Sequence, residues 1–158
     1  MEFPDNLSSQ EERSAAKRLI EGGYRHEVEV VGRAGLKRKV VEAFEVLRLA
    51  GYYDFFRSYI RRVVEVEGLS QLREAEATLW ISNVKVEEPV EAGRFFVQKA
   101  EQMRSYLEGL DTYLGVVERR TVMKSLEFLG ALRDRVGDED VRRRCGELLE
   151  EWAESYAL

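Results

Sequence analysis

Between Gly23 and Gly32 the apolar period of this chain changes, and that change limits the folds open to it. On either side, apolar residues recur every three or four positions. From Tyr24 to Val31, by contrast, Tyr24, His26, Val28 and Val30 alternate with Arg25, Glu27 and Glu29. A period of two is the pattern of a strand buried on one face. A lone strand leaves its backbone N–H and C=O groups unpaired, so a second strand must lie beside it. The expected class is α+β, predominantly helical, with C-terminal antiparallel helices packed with a small antiparallel sheet.

Partner strands are sought between residues 59 and 83. Val63, Val64 and Val66 are β-branched, and Thr78-Leu79-Trp80-Ile81 has strand character. A turn at Gly68-Leu69-Ser70 makes a hairpin of this stretch and lets Tyr24–Val31 join it. The competing reading is helical, because Leu72, Ala75 and Leu79 recur at helical spacing among Glu and Ala. The sheet is preferred.

The helices carry clearer signals. Ser9-Gln10-Glu11-Glu12 matches a capping box, and Gly22-Gly23 supplies the stop. Leu36, Val40, Ala43, Phe44 and Leu47 mark a second helix ended by Gly51, and Tyr52-Tyr53-Asp54-Phe55-Phe56 continues as a short helix to about Arg62. Glu88-Pro89 opens a longer one, since proline at the first position loses only an orphan donor. Its inner stripe is Ala92, Phe96, Ala100, Met103 and Leu107, and a loop near Gly109 and Asp111 follows. The next helix has Val122, Leu126, Leu129 and Leu132 inside, and Gly137-Asp138 separates it from a last helix with Val141, Cys145, Leu148, Trp152 and Tyr156. Three helices with short connections pack as antiparallel neighbours. No repeat, low-complexity tract or linker interrupts the chain, so one domain over 1–158 is expected.

Composition fits a globular chain: 158 residues, 44% hydrophobic and 35% charged, with two prolines. The single Cys145 excludes an internal disulfide framework and fits a reducing compartment. The start, Met1-Glu2-Phe3-Pro4-Asp5, has neither a basic n-region nor an apolar h-region, and no apolar run approaches the ~20 residues that span a bilayer. A cytoplasmic protein without membrane contact is expected. Arginine outnumbers lysine 19 to 6, and Asn and Gln total six. That profile suits either a thermophile, through ion-pair networks, or an arginine-favouring high-GC genome.

One histidine and one cysteine defeat most catalytic and metal schemes by counting. His26 and Cys145 lie far apart with no ligand spacing around either, and no Gly-rich phosphate loop or nucleophile elbow is present. No metal and no cofactor are expected. Cys145 lies on an apolar stripe and reads as core, although Arg142, Arg143 and Arg144 beside it are what would activate a thiolate. His26 reads as a half-buried histidine in place of a base, and the acidic stretch Glu65, Glu67, Glu74 and Glu76 reads as a solvated face.

One segment stands apart. From Arg33 to Arg62 there are eight basic residues against three acidic ones, within a chain of net charge −5. The same segment holds Tyr52, Tyr53, Phe55, Phe56 and Tyr59. Arginines beside aromatics suit a phosphate, single-stranded nucleic acid or an acidic partner. The binding candidates are Arg57, Arg61, Arg62, Tyr53 and Phe56. The acidic remainder of the chain opposes approach to nucleic acid, so the alternative that the aromatics are core and the arginines pair with neighbouring acids is preferred. The functional expectation is a non-enzymatic interaction or assembly module that associates with itself or another protein. Phosphate or nucleic-acid binding through 33–62 is the alternative.

Overall fold

The computed structural model describes residues 2–110 and 114–156. Asp111, expected in a loop, and the side chain of Tyr156 fall outside the described part. Among the described residues six α-helices and four strands follow one another: α1 Gln10–Glu21, β1 Glu29–Val31, α2 Ala34–Ala50, α3 Tyr53–Tyr59, β2 Arg62–Glu65, β3 Gln71–Arg73, β4 Thr78–Ile81, α4 Pro89–Leu107, α5 Gly115–Arg135 and α6 Glu139–Tyr156. The fold is α+β and predominantly helical. No described helix is long and apolar enough to cross a membrane.

The sheet is mixed, with order β1-β2-β4-β3. β1 and β2 pair in parallel, as do β2 and β4, and only β3 runs antiparallel to β4. The expected all-antiparallel sheet, and the hairpin turning at Gly68–Ser70, are therefore corrected. The chain passes that turn into β3, but β3 does not pair with β2. A short 3-10 turn at Glu74–Glu76 and a left-handed Ala77 (φ 50°) send it back, and β4 enters between them. Burial explains the order. Thr78, Leu79 and Ile81 of β4 are buried, whereas β3 is at most half-buried, so the apolar strand takes the inner place. β1 and β2 are parallel because α2 and α3 form the crossover between them.

The strand expected over Tyr24–Val31 shortens to Glu29–Val31. The alternation still reads burial correctly: His26 is buried, Tyr24, Val28 and Val30 are half-buried, and Arg25, Glu27 and Glu29 are exposed. The reason for the shorter ladder is local. The His26 N–H donates to the Arg57 carbonyl at 2.8 Å, near the end of α3, so pairing with β2 begins only at Glu29. The helical reading of Leu72, Ala75 and Leu79 fails, because these residues fall in β3, a 3-10 turn and β4.

The helix boundaries follow their signals. Ser9 and Glu12 form both bonds of the capping box. Gly51 closes α2 with φ 80°, a conformation that costs any residue with a Cβ. The Glu88 carboxylate accepts from the Val90 and Glu91 amides and Pro89 takes the first position of α4. α2 packs on α4 and α5, α4 on α5, and α5 on α6. One core cluster joins Val63, Leu79 and Ile81 of the sheet to Leu36, Val40 and Phe44 of α2 and to Phe96 and Met103 of α4. At its centre, Phe56 stacks on Phe96 with centroids 5.1 Å apart, and Phe44 lies 5.6 Å from Phe56.

The inner stripe of α5 differs from expectation. Leu129 and Leu132 are buried, but Val122 and Leu126 are only half-buried. The face turned inward carries Val117, Thr121, Ser125 and Phe128 instead. Thr121 and Ser125 are small, and their hydroxyls donate back to the carbonyls of Val117 and Val122, each at 2.8 Å, so they enter the seam without unmet donors. That rotation leaves Val122, Met123 and Leu126 outside the core.

Candidate functional site

The five expected binding residues do not form one surface. Phe56 is wholly buried in the aromatic core. Arg61 turns toward the N-terminal segment, where Nη1 donates to the Pro4 carbonyl and Nη2 to those of Asp5 and Glu76 at 2.8–3.1 Å. Burial and the neighbouring Arg62 pull its pKa down. Its guanidinium fastens one segment to another. Arg62 lies 3.7 Å from Glu29 across the β1–β2 pair. Only Arg57 and Tyr53 share an open hollow, of about 390 Å³, with Arg48, Gly51 and Asp54. There both guanidinium groups lie over the Tyr53 ring, at 4.2 and 5.6 Å, and Arg57 is held by Asp54 at 2.8 Å. The expected pairing of these arginines with Glu65, Glu67, Glu74 and Glu76 is not what the side chains do. Arg33, at the other end of α2, takes Glu67 at 3.4 Å and gives its backbone N–H to Glu65.

His26 is buried more deeply than half. It meets Phe3 at 4.5 Å and Tyr24 at 5.0 Å, both edge to face. Burial first, and the positive Arg61 second, lower its pKa to about 4. A histidine held neutral by burial, with its ring stacked between two others, is a packing residue. Cys145 is buried, and burial pushes its thiol up, the opposite of an activated thiolate. Glu101, 1% exposed, is a buried carboxylate that no pattern in the sequence singles out. Arg104 at 2.6 Å and Arg120 at 3.5 Å flank it, and Arg120 also reaches Glu108. Both cations stabilise its charge, so it is a structural ion cluster in the α4–α5 seam. Among the described residues no three His, Cys, Asp or Glu side chains are placed to hold a metal ion.

Further hollows open on the surface among the described residues. One, of about 530 Å³, lies beyond the carboxyl ends of β1, β2 and β4 and is lined by Gly32, Arg33, Glu65, Glu67, Ser82 and Asn83 among others. A second of similar size runs between β3 and α4 and holds Gln71, Gln98 and Gln102, three of the four glutamines in the chain. The third is a groove of about 430 Å³ between α5 and α6, lined by Val122, Met123, Leu126, Leu149, Trp152 and Ala153, with Arg119 at one end. Its walls are almost wholly apolar. Met123 is 59% exposed and Trp152 half-buried.

This groove follows from the rotation of α5. With Thr121 and Ser125 in the α4 seam, Val122, Met123 and Leu126 face out beside α6, whose Leu149 and Trp152 flank them. The sequence did show these apolar positions, but periodicity assigns them to a core and cannot say that the seam is taken by two small hydroxyl residues. Fold and site together define a mostly helical α+β protein with an open, nearly all-apolar groove between its last two helices. No protein-family model, curated protein or solved structure matches the chain.

Proposed function

We propose that the chain is a non-enzymatic interaction module and that the α5–α6 groove is its contact face. The single supporting observation is that groove: a concave, nearly all-apolar strip beside an exposed Met123 and a half-buried Trp152. Aromatic residues and methionine are enriched where proteins meet, and an apolar face with helical spacing is what an amphipathic partner helix occupies. The test is calorimetric titration with a leucine-rich amphipathic helical peptide. Binding with a negative heat-capacity change, abolished by Met123→Glu, is expected. Equal binding by wild type and variant counts against the reading.

Phosphate or nucleic-acid binding is supported by one different observation. α2 starts without a side-chain cap or an acid in its first turn, and exposed Arg33, Lys37 and Arg38 surround that start. Cations there oppose the helix dipole, while an anion would complement it. Against this, Glu65 and Glu67 already occupy the place. A labelled single-stranded oligonucleotide that binds at low salt, and is released by Arg33→Ala with Arg38→Ala, would put this reading first.

A further inference from the structure

We infer that the occupant of the α5–α6 groove is a second copy of this chain, with α5 of each protomer laid antiparallel on α6 of the other. The inference rests on the groove being a docking face and adds the identity of the partner.

Two observations select this occupant. The first is glycine. Gly130 lies inside α5 and Gly146 inside α6, and nothing stands within 4 Å of where a Cβ on either would be. Packing inside the chain therefore requires neither, although glycine is a poor residue for a helix interior. By helical spacing Gly130 follows Met123 and Leu126 on one face of α5, and Gly146 precedes Leu149 and Ala153 on one face of α6. Close approach of another helix is what both positions permit.

The second is charge. α5 and α6 form an antiparallel hairpin in which Met123 stands level with Leu149 to Ala153. A twofold axis parallel to the hairpin brings equal levels of α5 and the second copy's α6 face to face. Gly130 then meets Gly146, Leu126 meets Leu149, and Met123 meets Ala153. In the same register Asp134 falls opposite Arg142, one helical turn beyond the two glycines. Both are exposed, and within the chain each pairs with a neighbour on its own helix, Asp134 with Arg133 at 3.7 Å and Arg142 with Glu139 at 3.6 Å. Opposite charges facing one another across the end of an apolar seam favour this direction and register.

The test is sedimentation of the whole chain from about 1 µM to about 500 µM, with covalent trapping. Wild type is expected to dimerise with rising concentration and Met123→Glu to stay monomeric. Asp134→Arg is expected to weaken the dimer by about threefold or more, and Asp134→Arg with Arg142→Asp to return to within about twofold of wild type. Asp134→Cys protein mixed with Arg142→Cys protein and a short bis-maleimide is expected to yield covalent dimer that neither gives alone. Equal trapping in all three samples would overturn the register. A wild type that stays monomeric, yet binds the helical peptide, overturns the second copy and leaves the docking face standing. A dimer that Met123→Glu does not disturb overturns both.

Discussion

His26 shows how much one residue's surroundings decide. Its ring is stacked between Phe3 and Tyr24, and burial followed by Arg61 lowers its pKa from 6.5 to about 4. Between these values the unfolded chain binds a proton that the folded chain does not. Stability from this group is therefore complete above about pH 6.5 and is lost as pH falls toward 4, by about 3 kcal/mol at the limit. Urea unfolding of wild type and His26→Phe at about pH 7 and about pH 4.5 isolates it, because carboxylates such as Glu108 contribute equally to both proteins. The wild type should lose more stability than the variant, and equal losses would mean that His26 is already solvated. Cys145 makes a simpler case at this scale. A thiol reagent should modify it slowly in the native protein and rapidly in urea, and equal rates would show an open thiol.

At the scale of elements, ends were more legible in the sequence than faces. Ser9, Glu12, Gly51, Glu88 and Pro89 act locally, each through a bond or a dihedral angle that neighbours a few residues away complete. The inward face of α5 is different, because Thr121 and Ser125 displace Val122 and Leu126 only through their fit to α4. Periodicity counts apolar residues and is blind to that fit. Two predictions belong here. Gly51→Ala should destabilise by about 1–2 kcal/mol, since φ is 80° and the added methyl meets the Arg135 guanidinium that donates to the Ala50 carbonyl. Gly130→Ala and Gly146→Ala should instead raise the stability of the dilute monomer, each by up to about 1 kcal/mol, and at the same time weaken self-association. Thermal melts at low concentration beside sedimentation at high concentration separate the two effects. A loss of monomer stability would mean that these glycines serve the chain's own packing.

For the whole molecule, fold class was readable and strand order was not. One strand required a sheet, but whether β4 or β3 lies beside β2 depends on which strand's side chains the helices cover. Val63, Leu79 and Ile81 meet α2 and α4 residues distant in sequence. The basic aromatic segment was legible as composition, but the destinations of its side chains were not. The fold sends Phe56 to the core, Arg61 to the N-terminal segment, and leaves Tyr53 with Arg57 in a shallow hollow. The fold also leaves the apolar α5–α6 groove open, and this face is expected to be covered when the protein works. Trp152 lies in that groove and reports on it directly once Trp80 is replaced by Phe. Acrylamide quenching of Trp152 should fall as protein concentration rises through the dimerisation range, and should stay high in the same protein carrying Met123→Glu. Quenching that is the same at every concentration, in both proteins, would contradict the claim that a second copy covers this face.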